Sequence, residues 1–75
     1  MQISERITRW RESREGMTKA KLARACGVSS AAVAQWESGT TTPSTKSIEA
    51  IAAAIGVSVS VFWGEPPATP ARKAS

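Results

Sequence analysis

The chain has no histidine and a single cysteine, Cys26. Within one chain, that excludes a disulfide scaffold and a Cys/His zinc site. It also leaves a thiol nucleophile without its usual base. No apolar run approaches the ~18–20 residues that a membrane span needs. Met1 is followed by polar and charged residues rather than an apolar signal region, so a cytoplasmic protein is expected. No paired carboxylates stand at active-site spacing, no glycine-rich phosphate loop is present, and no internal repeat is visible. An enzyme, a cofactor and a metal are therefore not expected.

What is present suits one small domain. Seventy-five residues are enough for a single core, and that core is small enough for each buried apolar side chain to matter. Hydrophobic residues make up 41% and charged residues 21%, a globular rather than a disordered balance. The net charge is +4 and the pI about 10.0, which favours a polyanionic partner, with nucleic acid ahead of an anionic membrane. The cations cluster early, at Arg6, Arg9, Arg11, Arg14, Lys19, Lys21 and Arg24. Any grip on a phosphate chain is therefore expected from the first two helices.

Apolar spacing sets out the elements. Ile3, Ile7 and Trp10 form one stripe of a first helix, capped by Gln2 or Ser4 and ending near Arg14-Glu15 before Gly16. Thr18 caps a second helix, "KAKLARAC", with Leu22, Ala23 and Cys26 inward and Gly27 at its end. Ser29 caps a third, running to Glu37 and stopped by Gly39, with Val33 and Trp36 on its buried side. A loop, "TTTP", leads to Ser44, which caps a fourth helix with Ile48, Ile51, Ala52 and Ile55 as its stripe. "VSVSVFW" alternates as a strand would, but a lone strand has no partner here and Ser58 is a fair cap. A short fifth helix is favoured. Residues 65–75, "EPPATPARKAS", read as a flexible Pro/Ala-rich tail.

The second and third helices meet through Leu22, Cys26, Val28, Val33 and Trp36, with small Ala23 at their crossing and Gly27 at the reversal. That is helix-turn-helix spacing, in which the second helix can lie in a major groove. The stretch "MTKAKLARACGVSSAAVAQWESGTTTP" (17–43) resembles the Cro/C1-type, or XRE-like, helix-turn-helix domains of phage repressors and bacterial regulators. The likeness continues through "SIEAIAAAIGVSVSVFW" and includes the opening "ISERITRWR". The combination of LA, GVS, WExG and a following proline is specific. It implies an all-α, five-helix domain over residues 1–64, with the helix-turn-helix at 18–37 and the reading helix at 29–37.

The resemblance also implies roles. Gln35 is a candidate for bidentate contact with adenine, Ser30 for an undiscriminating base contact, and Ala31 for a thymine methyl. Each is otherwise a solvated surface residue. Lys19, Ser29, Thr40, Thr41 and Thr42 are candidate phosphate contacts, which position a domain without choosing sequence. Ser29 is a cap in either case. The family usually has glutamine where this chain has Lys19; lysine holds a phosphate as a point charge. Arg11 and Glu37 are candidates for a structural ion pair, although the link to Gly16 is one residue longer than usual and leaves Arg14 open. Trp10 and Trp36 read as core, as does Cys26. Val59 and Trp63, with Val61 and Phe62 nearby, are candidates for a dimer interface.

The expected function is a DNA-binding transcriptional regulator, a small repressor on a palindromic operator, acting as a homodimer without a membrane. The alternatives are an antitoxin or restriction-controller autoregulator, with a protein partner on the tail, and an interaction module that has kept only the fold.

Overall fold

Three helices of the chain end on the same backbone device, which sets where each turns. After α2 (Lys19–Cys26), Gly27 takes φ 74°, in the left-handed region where a Cβ is costly. Its neighbour Val28 then donates its N–H back to the Ala23 carbonyl at 2.9 Å. The next residue, Ser29, caps α3 (Ser30–Ser38) by accepting from the Ala32 N–H at 3.1 Å. The same three letters, Gly-Val-Ser, return at 56–58. There Val57 donates to the Ala52 carbonyl at 3.0 Å, and Ser58 caps α5 (Val59–Phe62) after α4 (Thr45–Ile55). In both places one tripeptide ends a helix, tucks a partly buried valine against the core and starts the next helix. This local repeat passes unnoticed when only helical periodicity is scanned.

The computed structural model describes residues 2–64. Over these the protein is all-α, with five helices and no strand. Within "VSVSVFW", Val59–Phe62 form a short helix: Ser58 accepts from the Val61 N–H and Phe62 turns wholly inward. The expected tail at 65–75 lies outside the described residues.

The first helix, α1 (Ile3–Glu12), stops two residues short of the expected Arg14-Glu15. The Ser13 hydroxyl donates to the Trp10 carbonyl at 2.6 Å, and the Arg14 N–H closes a tight turn on Arg11 at 3.1 Å. These contacts take the carbonyls that a further helical turn would use. Its N-cap is Gln2, with no side-chain bond. The third helix runs one residue past Glu37, to Ser38.

The core gathers Ile7 and Trp10 from α1, Leu22 and Ala23 from α2, Val33 and Trp36 from α3, Ile51, Ala52 and Ile55 from α4, and Phe62 from α5. Cys26, Val28 and Ile48 pack against it only partly buried, as does Met17, which periodicity did not single out. Pro43, read as loop, is buried. Burial of each large side chain stabilises by about 1.5–3 kcal/mol, and in a domain this size no position is redundant. The α2 helix lies against α3 and α4, while α1 backs α3. That layering leaves one side of α3 to solvent.

Candidate nucleic-acid interface

The exposed side of α3 carries the residues that can meet DNA. Ser30, Ala31 and Gln35 are exposed, and Ala32 and Ala34 partly so. Val33 and Trp36 are buried beneath them. Gln35 therefore stands on a helix whose opposite face is anchored by a wholly buried valine and a tryptophan with 6% exposure. Among the exposed residues of α3, Gln35 has the longest side chain.

The anchoring extends below the core. Glu37 lies at the end of α3 with its side chain only 5% exposed. Arg11 grips it with two bonds, Nε to Oε2 at 2.7 Å and Nη2 to Oε1 at 3.1 Å. Such a paired fork fixes angle as well as distance. Thr8 Oγ1 is 3.1 Å from Glu37 Oε1, and Arg11 Nη1 donates to the Met17 carbonyl at 3.2 Å. One arginine thus joins α1, the loop before α2 and the reading helix. Arg14, the other option, turns away and donates from Nε to the Ile55 carbonyl at the end of α4, at 2.9 Å. Sequence reasoning overlooked Thr8. Its signal was available, since Thr8 and Arg11 sit three apart and share a helix face.

At the other end of α3, an open cleft of about 670 Å³ brings Thr18, Lys19 and Ala20 from the start of α2 together with Ser30. Lys19 is exposed at its edge. Ser29 uses its hydroxyl oxygen as an acceptor for the cap, and a hydroxyl proton remains to donate elsewhere.

The threonine loop is more occupied than it looks in the sequence. The Gln35 carbonyl takes the N–H groups of Thr40 at 3.0 Å and Thr41 at 3.3 Å. The hydroxyls of Ser38 and Thr40 lie 2.8 Å apart. Those two backbone donors close the end of α3. The hydroxyls of Thr41 and Thr42 are exposed. Val59 and Trp63 lie on a different element, 38% and 48% exposed, with Val61 at 50%. Trp63 packs edge-on to Phe62 at 5.4 Å and lies under the Arg6 guanidinium at 5.5 Å.

Among the described residues, no His/Cys/Asp/Glu group is arranged to hold a metal, and no helix is long and apolar enough to cross a membrane. The lone thiol, Cys26, is pushed above its ordinary pKa by burial.

A family described as helix-turn-helix matches residues 7–62, from within α1 to the end of α5. Comparison with curated proteins found no match, nor did comparison with solved structures. The chain belongs to the helix-turn-helix family of Cro/C1, XRE-like type. It is accordingly a double-stranded-DNA-binding domain of the transcription-regulator class, a family of regulatory rather than enzymatic domains.

Proposed function

We propose that the protein is a small repressor that binds a palindromic operator in the bacterial cytoplasm as a homodimer and occludes a promoter. The observation carrying this is the reading helix itself. Ser30, Ala31 and Gln35 are exposed together on a helix held from behind by Val33, Trp36 and the Arg11–Glu37 fork. Gln35 reads an adenine, Ser30 makes a permissive base contact, and Ala31 meets a thymine methyl. Lys19, Ser29 and the hydroxyls of the Thr40, Thr41 and Thr42 loop take phosphates, which sets register. Val59 and Trp63, beside Val61, supply the apolar contact between two copies. Two-fold symmetry then places the reading helices about 34 Å apart, one turn of DNA.

The test is selection of bound sequences from random duplexes, with the mass of the complex measured on the winners. An inverted repeat with two protomers per duplex supports the proposal. An unrelated pool of sequences, or one protomer per site at high protein concentration, rules it out. A second reading, a protein-interaction module, is favoured by the bareness of α3, where only Gln35 is long. Duplex affinity that does not respond to salt would select that reading. Co-purification of a protein held by residues 65–75 would select the antitoxin form.

A further inference from the structure

Helices α2, α3 and α4 end at a left-handed glycine, and α5 does not. Its C-cap, Trp63, keeps right-handed helical backbone. Carbonyls at such an end need donors from elsewhere, and side chains of α1 supply them. The Phe62 carbonyl accepts from Trp10 Nε1 at 2.9 Å and from Arg6 Nη1 at 3.3 Å. The same Arg6 nitrogen donates to the Gly64 carbonyl, and the guanidinium lies over the Trp63 ring at 5.5 Å. Arg6 Nε is buried and has no partner among the described residues. Burying that donor is unfavourable, so the contacts with Phe62, Trp63 and Gly64 are what hold the side chain there. Arg6 and Trp10 stand four apart on α1. Thr8 and Arg11, which hold Glu37 at the end of α3, stand three apart on the same helix. One helix thus carries both the end of α5 and the end of the reading helix.

We propose that Arg6 is a positioning residue for the contact between two copies. It fixes Trp63 and the end of α5 on α1, and so sets the half-site spacing that a pair of reading helices accepts. The inference rests on the homodimer proposed above and adds a residue that touches neither DNA nor, by itself, the partner. Trp63 is half-exposed beside Val59 and Val61. A tryptophan already held in place loses less freedom when a second copy covers it. The guanidinium holds the indole from the α1 side and leaves the rest of the patch to the partner. Two-fold symmetry applies any tilt of Trp63 against α1 to both copies. The two reading helices, mounted on the same α1 through Glu37, would then shift relative to each other. Spacing is therefore decided at Arg6, while base choice is decided on α3.

The test uses the full chain and the operator that the wild type selects, alongside the same operator lengthened or shortened by one base pair between half-sites. The wild type should prefer the selected spacing. Arg6→Met keeps the aliphatic stem but loses the charge and the donors, so that preference should fall several-fold. Affinity for an isolated half-site should hold, because the Arg11–Glu37 fork is untouched. Arg6→Lys keeps a cation over the ring and should restore most of the preference. Arg9→Met, on the same helix but paired with exposed Glu5, should change neither. Acrylamide quenching of the monomer follows the clamp itself. Trp10 and Trp36 are buried, so quenching reports Trp63, and Arg6→Met should increase it. Unchanged quenching, or an unchanged spacing preference, in Arg6→Met overturns the assignment while the homodimer stands. Equal loss on half-sites and full operators also overturns it, since that marks a folding defect. A wild type that selects no inverted repeat ends the homodimer reading, and this role with it.

Discussion

Glu37 shows how far one residue's role depends on its surroundings. Its carboxylate is almost fully enclosed, yet four polar groups on or near α1 make that burial tolerable: Arg11 Nε, Arg11 Nη2, Thr8 Oγ1 and, beyond them, the Met17 carbonyl that holds the same guanidinium. Removing one partner of a buried pair strands the other charge, which costs about 3–5 kcal/mol. Arg11→Ala should therefore lower chemical-denaturation stability by that amount, a large part of what a small domain has. A loss under 1 kcal/mol would show that the fork is incidental. Gln35→Ala belongs to the opposite class. Its side chain is exposed, so stability should barely change, while preference at one base pair per half-site should relax by ~1–3 kcal/mol with random-duplex binding intact. Competition assays with single-base operator variants check this, and uniform weakening on every sequence would remove Gln35 from base reading. Cys26 offers a pH readout. Burial raises its thiol pKa, so the folded state favours the protonated form. Any stability it contributes is present at neutral pH and lost as pH rises through the folded value. Alkylation should accordingly be slow at neutral pH, and its rate should climb only at higher pH than for an unfolded control. Coincident pH profiles would contradict the shift.

At the scale of elements, the turn between α2 and α3 decides where the reading helix points. Gly27 holds φ 74°, and a Cβ there would meet nothing within 4 Å. The cost of Gly27→Ala is thus purely conformational, about 1–2 kcal/mol. Ser29→Ala removes a cap from α3 and should cost ~1 kcal/mol. The two substitutions lie close together in one turn, so their effects should not simply add. Thermal melts of the single and double variants measure this; strict additivity would show that the turn does not act as one unit. Element starts were legible in the sequence because capping is local: Thr18, Ser29, Ser44 and Ser58 each accept from an N–H three residues on. The end of α1 was not, because the contacts of Ser13 and Arg14 compete with propensity, and one of them reaches across to α4.

Across the whole molecule, the described residues span 32 × 24 × 20 Å and present one reading helix. Two half-sites about 34 Å apart are beyond the reach of a single copy, so palindromic binding needs a second. The patch proposed to join the copies lies where α5 closes the fold. Phe62 is wholly buried, and its carbonyl takes the Trp10 Nε1–H at 2.9 Å, while Val59, Val61 and Trp63 stay outside. Core and patch should therefore separate by mutation. Phe62→Ala should cost about 3–5 kcal/mol and unfold much of the population. Val59→Asp should leave the melting temperature nearly unchanged but yield a monomer in sedimentation. If Val59→Asp sediments as the wild type does, the contact lies elsewhere.

What the sequence determined by itself was everything carried by short-range rules. Periodicity located the apolar stripes, small polar residues started α2 to α5, and glycines ended α2, α3 and α4. The spacing from Leu22 to Trp36 gave the helix-turn-helix because two packed helices tolerate few alternatives at their crossing. Which charges were free could not be seen in this way. Arg6, Arg11 and Arg14 look like surface cations in a list of residues, and their partners lie 56, 26 and 41 positions along the chain. Pro43 lies in the loop as read but is buried, and the N–H groups of Thr40 and Thr41 are held by the Gln35 carbonyl. Pairing and burial depend on what the fold brings alongside, so only the tertiary structure decided which basic residues support the domain and which remain open to DNA.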